Sequence, residues 1–210
     1  MDKDLSNYQI LNKFNVSRET CQILEDYRKI VIKKNKQINL ISHKTEYNFV
    51  KRHTIDCVQA IDFIDINSKI CTDIGSGAGL PGLVLALVLK GKNIKVKMKL
   101  YEKSYHKSKF LREISEKLKL DDEVIQKDIF KEKNLISGTV IARAFKPLPT
   151  ILELVEKKFH NYKNLVVFMG KNGKQLLEDS VKKWKFEYKE KKSLTSKDSF
   201  LINIKNIKKK

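Results

Sequence analysis

The chain has 210 residues, 41% of them hydrophobic, with 44 basic against 25 acidic residues and a formal net charge of +19 at pH 7. That length suits one α/β domain with a smaller attachment, and the apolar content is enough to bury a core. No run of about eighteen apolar residues occurs, and Met1 to Ser6 is charged without an apolar signal region, so the expectation is a soluble, cytoplasmic chain with no membrane partner.

Taken in order, Leu5 to Phe14 reads as a short helix. Ser17 reads as the N-cap of a longer one whose apolar stripe is Leu24, Tyr27 and Val31 with Ile23 and Ile30. The polar stretch Lys33 to Asn39 ends it. After Asn39-Leu-Ile-Ser42, Thr45 can cap a helix carrying Phe49 and Val50, and Asp56 to Phe63 continues helically. From residue 69 onward strands and helices alternate, the pattern of a mostly parallel sheet covered on both faces. Strands are expected near 69–74, 95–101, 122–126, 138–143 and 163–169, with helices near 80–90, 105–119, 147–159 and 172–183. Trp184 to Lys191 and Ser199 to Ile207 alternate polar and apolar residues, as two antiparallel strands do. The organisation expected is a helical extension over 1–66, an α/β domain over 67–207 and a frayed basic tail over 208–210.

The most informative segment is Asp73-Ile-Gly-Ser-Gly-Ala-Gly-Leu-Pro-Gly82. An apolar strand delivers the chain to Gly75, Gly77 and Gly79, which allow a tight turn and close approach of a ligand to the backbone, and an apolar helix follows until Gly91. From Gly77 the text is literally G-x-G-x-x-G, the dinucleotide pattern. That pattern wants its first glycine directly after the strand, whereas Asp73 and Gly75 come first here and Pro81 occupies the turn that should pack the phosphate-facing helix. The acid-led loop instead resembles the first motif of class I S-adenosylmethionine-dependent methyltransferases, which implies a Rossmann-like fold. Glu102, at the end of the expected second strand, is placed to accept both ribose hydroxyls through charge-assisted bonds. Asp73 and Glu102 are thus the two carboxylates expected to grip the nucleoside.

The positive charge attracts any polyanion in a salt-dependent way. With the cofactor class, it suggests RNA or DNA as partner. Arg18, Arg28, Arg52, Arg112 and Arg143 are the only arginines, and so lysine-rich a chain is also what an AT-rich genome would encode. Cys21, Cys57 and Cys71 are scattered, in no metal-ligand spacing, and read as reduced thiols with no metal expected.

Several segments together resemble one family, the bacterial small-subunit rRNA (guanine-N7)-methyltransferases called RsmG or glucose-inhibited division protein B. They are Asn39-Leu-Ile-Ser42, Arg52-His53 with Asp56, the loop from Asp73 to Gly82, Glu102 followed by Lys107-Ser-Lys-Phe-Leu-Arg112, and Ala142-Arg-Ala-Phe145. The resemblance implies methyl transfer from S-adenosylmethionine to N7 of a guanine in 16S rRNA. It puts cofactor contacts on Gly75, Leu80, the pair Ile129-Phe130 and Arg143. Phe130 departs from the Glu that family members commonly carry, and Asp128 could supply an acid near the adenine instead. Ala142 stands where a Ser is usual, and so does Cys57.

Guanine N7 has a free lone pair, so this reaction needs no strong general base, and no catalytic side chain is assigned. Other residues keep two readings. Arg143 could pair with the cofactor carboxylate, with RNA, or in a structural bridge. His53 could touch RNA or cap a helix, and Arg52 and Asp56 could pair with each other. Lys107, Lys109 and Arg112 suit a phosphate track or a solvated face, and Phe145 suits core or a base-stacking platform. Lys146-Pro-Leu-Pro149 has one proline too many for a simple helix start and is expected to shape the substrate rim. Two functional alternatives stand beside the rRNA reading: a small-molecule methyltransferase and a non-catalytic nucleotide-binding regulator. Oligomeric state is open, with a monomer favoured.

Overall fold

The computed structural model of the chain describes residues 3–210. Turns of 3-10 helix over Lys3–Phe14 lead into α1 (Arg18–Asn35), where Ser17 Oγ accepts from Thr20 N at 3.2 Å as the expected N-cap. Residues 43–63 form a chain of short helical pieces. These are 3-10 over His43–Asn48, a π stretch over Val50–Ile55, the single turn α2 (Asp56–Val58), and 3-10 again over Gln59–Phe63. Then come β1 (Ile70–Ile74), α3 (Gly82–Gly91), β2 (Lys97–Tyr101), α4 (Tyr105–Lys117), β3 (Asp122–Ile125), β4 (Leu135–Ile136) and β5 (Thr139–Arg143). The last elements are α5 (Leu148–Lys158), β6 (Phe159–His160), β7 (Asn164–Met169), α6 (Gly173–Lys183), β8 (Trp184–Lys192) and β9 (Phe200–Lys209).

Seven strands form one sheet in the order β3-β2-β1-β5-β7-β9-β8, and β4 and β6 make a separate two-stranded parallel pair. The first five are parallel; β9 runs antiparallel to β7 and β8 antiparallel to β9. The chain winds outward from β1 to β3 and returns to β5 on the other side of β1. The strand order therefore reverses between β1 and β5, where open α/β sheets bind ligands at their carboxyl ends.

Both sheet faces are covered, which is why β1 and β5 are buried almost throughout. Alternation along β5 and β7 sorts side chains between two cores. Ile141 and Val166 pack with Met98, the whole of Leu83 to Leu89, and Leu11, Leu24, Tyr27 and Phe49 of the extension. Val140, Ala142, Leu165 and Val167 pack with Ile151, Leu152 and Leu177 of α5 and α6. The extension thus supplies the helical layer of one face, and α3 is apolar all round because it lies between that layer and the sheet.

Four expectations need correction. Ile23 is 37% exposed, because the buried stripe of α1 runs Thr20, Leu24, Tyr27 and Val31 and Ile23 is one residue off it. Thr45 caps no helix; its hydroxyl donates to Ser42 O at 2.7 Å. Both prolines fit the start of α5, Pro147 at the N-cap and Pro149 in the first turn, where a missing N–H loses nothing. The basic tail is not frayed at its start: Lys208 and Lys209 continue β9 opposite Lys185 and Trp184, and Lys210 N donates to Lys183 O at 3.1 Å. No helix among the described residues is long and apolar enough to cross a membrane.

Candidate active site

The loop after β1 is held from three sides. Gly75, Gly77 and Gly79 all have positive φ, and Gly75 N and Ser76 N both donate to Tyr101 O at 2.9 Å, tying the loop to the end of β2. From beneath, Asp73 Oδ2 accepts Gly82 N at 3.0 Å. From the helical layer, the buried Tyr27 hydroxyl donates to Ala78 O at 2.6 Å.

The two carboxylates have separate places. Glu102 lines a cavity of about 850 Å3 together with Gly75, Gly77, Leu80 and Arg143. Its Oε2 accepts Gly77 N at 2.9 Å and its Oε1 accepts Ser104 N at 2.8 Å, leaving a further lone pair on each oxygen. Asp73 is 1% exposed and lies outside the cavity wall, at the start of α3, where a carboxylate suits the helix dipole. Its Oδ1 has no partner among the described residues, and burial above all pushes its pKa up to about 7. The expected pair of gripping carboxylates is one wall residue, Glu102, and one support beneath the loop, Asp73.

Of the other cofactor candidates, Asp128, Ile129 and Phe130 line the same cavity, and Gly79 does not. Asp128 caps its own short turn, with Oδ1 accepting Phe130 N at 3.1 Å. The Phe130 ring stacks on Phe145, centroids 5.8 Å apart and planes 16° off parallel. Phe145 in turn lies over Gly75, where an added Cβ would come within 2.2 Å of its ring. A Cβ on Gly77 would meet only Gly75 O, at 3.9 Å, so that face of the loop is open to close approach.

Arg143, at the end of β5, joins the sheet to the extension. Its Nε donates to Asp56 Oδ2 at 3.2 Å and its Nη2 to Arg52 O at 2.8 Å and His53 Nδ1 at 3.2 Å. Since Nδ1 accepts from a guanidinium, the proton of His53 sits on Nε2 and donates to Thr45 Oγ1 at 2.9 Å. Burial, then Arg143 and Arg52, push the His53 pKa down to about 3, so the ring is neutral. Asp56 Oδ1 also accepts from Gln59, Ser193 and Thr195 at 2.9, 3.3 and 3.0 Å, which ties in the connection between β8 and β9. Asp56 therefore pairs with Arg143 and not with Arg52.

Arg52, His53, Lys107 and Phe145 line the cavity, but Lys109 and Arg112 lie outside it. Lys109 borders a small hollow with Lys34 and His106, and Arg112 reaches Gln126 on the surface. Lys103, Lys127 and Lys146 also line the cavity; nothing in the sequence marks them, since one lysine among so many carries no signal. Pro147 closes a neighbouring hollow of about 460 Å3, which shares Ala144, Phe145 and Lys146 with the cavity.

A family model described as GidB, rRNA small subunit methyltransferase G, matches residues 20–203. The chain belongs to this family. Ribosomal RNA small subunit methyltransferase G of Pelagibacter ubique (strain HTCC1062) is 50% identical over 212 residues, covering 100% of both chains. The protein of that name from Rickettsia akari (strain Hartford) is 33% identical over 193 residues, covering 91% of this chain and 97% of its own. Among solved structures, M. capricolum TrmK in complex with S-adenosyl-homocysteine superposes with a TM-score of 0.53 at 16% identity, covering 80% of this chain and 69% of that one. A SAM-dependent methyltransferase from Aquifex aeolicus gives 0.56 at 13% identity, with coverage of 75% and 92%. These two likenesses show the fold, which is that of the class I methyltransferases.

Proposed function

We propose that this GidB-family chain transfers a methyl group from S-adenosylmethionine to N7 of a guanine in 16S rRNA of the small ribosomal subunit. The observation that carries the reading is the open glycine loop beside Glu102, in a cavity continuous with the carboxyl ends of β5 and β7. A family match over residues 20–203 favours it over a small-molecule methyltransferase or a regulator.

The residues present fit the cofactor. Gly77 leaves room for close approach, Glu102 has lone pairs for ribose hydroxyls, and Asp128, Ile129 and Phe130 line the same cavity. Arg143, a cavity-lining cation that also pairs with Asp56, would face the carboxylate of the amino-acid portion. S-adenosylmethionine supplies an electrophilic methyl on a sulfonium, and no metal is needed for that chemistry.

The chain's own work is then positioning and exclusion of water. The guanine N7 lone pair attacks without prior loss of a proton, which agrees with the engagement of both His53 nitrogens in hydrogen bonds. Phe145, with Ala144 in a left-handed conformation before it (φ 51°), presents an aromatic face where a splayed-out base can stack. Lys103, Lys107, Lys127 and Lys146 around the cavity suit the flanking phosphates.

The test is the 16S rRNA of cells with and without this protein. Borohydride and aniline should cut at a new N7-methylguanine only where the protein is present, and identical cleavage patterns would end the proposal.

A further inference from the structure

At the end of the sheet opposite the cavity, the β8–β9 hairpin begins and finishes in lysines. Lys183, Lys185, Lys208, Lys209 and Lys210 are all exposed there, whereas Lys205, further toward the cavity, faces Glu187 across the pair. None of them has a carboxylate within ion-pair distance among the described residues, although ion pairs are formed by Lys174 and Lys191 nearer the cavity. The register places Lys185 directly opposite Lys208. Like charges in facing positions of an antiparallel pair are destabilising. A fold that keeps two lysines face to face, with more lysines around them, carries an unfavourable arrangement that a bound polyanion would relieve.

Direction fixes where this charge sits. Because β9 is antiparallel to β7, Phe200 lies at the cavity, whose wall it forms, and Lys209 lies at the other end of the strand. At about 3.3 Å per residue the separation is roughly 30 Å. A nucleotide held in the cavity cannot span it. Between the two ends, Tyr188 is 49% exposed and packs edge-on against Phe186, an aromatic surface set among the lysines.

We propose that the base of the β8–β9 hairpin is a second RNA-backbone grip, holding a part of the substrate rRNA remote from the methylated base. This rests on the reading that the substrate is rRNA. The grip is on phosphates, so it gives affinity and orientation without reading sequence.

The test compares binding to 16S rRNA across a salt series for three proteins. These are the natural chain, the variant Lys183→Gln, Lys185→Gln, Lys208→Gln and Lys209→Gln, and a control with the same charge change at Lys13, Lys33, Lys36 and Lys117. The hairpin variant should bind 16S rRNA about tenfold or more weakly near physiological salt. Its log–log salt slope should be shallower by about 1 for each phosphate that it no longer neutralises. A short RNA stem–loop that only fills the cavity should bind it as it binds the natural chain, and the melting midpoint should be equal or higher because the facing charges are gone. Control variant and natural chain should differ less than about twofold.

Equally weakened binding in hairpin and control variants would overturn the proposal, as would unchanged binding, or a hairpin requirement for anionic lipid vesicles in place of RNA. The reading of the cavity fails separately: hairpin-dependent rRNA binding without any N7-methylguanine would remove that reading and leave the grip standing.

Discussion

Arg143 and Asp56 are 87 residues apart in sequence, with the end of the extension and the strands β1 to β4 between them, and they meet at 3.2 Å beside the cavity. Both are largely buried, with side-chain exposures of 17% and 15%. This pairing links two of the five segments that carry the family resemblance, because His53 and Asp56 of one hold Arg143 of the other. Removing the carboxylate leaves a buried guanidinium unpaired and takes the acceptor from Gln59, Ser193 and Thr195. Asp56→Ala is expected to destabilise the fold by about 3–5 kcal/mol, and Asp56→Asn, which keeps an acceptor, by clearly less. Denaturant titration checks the order. Hydrogen exchange should show Ser193 to Thr195 released only in the Ala variant.

Asp73 and His53 make opposite pH dependences. Burial raises Asp73 to about 7, so its stabilising contribution is complete below the ordinary carboxylate pKa near 4 and is lost as pH rises toward 7. His53 is lowered to about 3, so its contribution is complete above its ordinary pKa near 6.5 and is lost as pH falls toward 3. Between about pH 4 and 6.5 the two slopes oppose, each approaching 1.4 kcal/mol per pH unit. Asp73→Asn should unmask the histidine, with stability rising with pH across that window relative to the natural chain. His53→Phe should unmask the aspartate, with stability falling. Unfolding midpoints measured from pH 4 to 7 decide this, and parallel profiles for both variants would show that neither group titrates as described.

The general architecture was legible because apolar periodicity reports burial, and burial is what a parallel sheet covered on both faces imposes. The five parallel strands, the antiparallel hairpin and the Ser17 cap all lay in the order the pattern implies. The part played by Asp73 was not legible. It depends on how closely α3 approaches β1: a Cβ on Gly82 would come within 2.3 Å of Leu100 and 2.6 Å of the Asp73 carboxylate. Asn35 was equally hidden. Its amide accepts from Leu40 N and Ile41 N and donates to Ile41 O and Glu46, which gives the turn after α1 its shape, yet in sequence it is one polar residue in a polar run. The pair β4 and β6 is two residues long and leaves no periodicity to read.

Tyr27 shows how the helical layer reaches the site. Its hydroxyl donates to Ala78 O, so Tyr27→Phe leaves a buried carbonyl without that partner. We expect stability to fall by about 1–3 kcal/mol and the grip on the loop to weaken, read as a several-fold rise in the dissociation constant for S-adenosylhomocysteine by calorimetry. The control is Tyr8→Phe, whose hydroxyl bonds Glu25 away from the loop. It should be less stable with that affinity unchanged, and equal affinity changes in both variants would remove the special connection to the loop.

Glu102 is the carboxylate that the proposed function sets against the nucleoside. One of its oxygens fixes Gly77 N and the other Ser104 N, so the carboxylate arrives pre-oriented, with lone pairs left over in the cavity. Glu102→Gln substitutes an NH2 for one oxygen and sets a donor against a backbone N–H that also donates. It removes both a hydrogen bond to the backbone and an acceptor for a ribose hydroxyl. Charged hydrogen bonds contribute about 1.5–3 kcal/mol each, which predicts a rise of about 10- to 150-fold in the dissociation constant for S-adenosylhomocysteine. Asp128→Asn, whose side chain keeps an acceptor for Phe130 N, should change it much less. An unchanged constant in Glu102→Gln, with the fold intact by circular dichroism, would mean that the nucleoside is held elsewhere in the cavity.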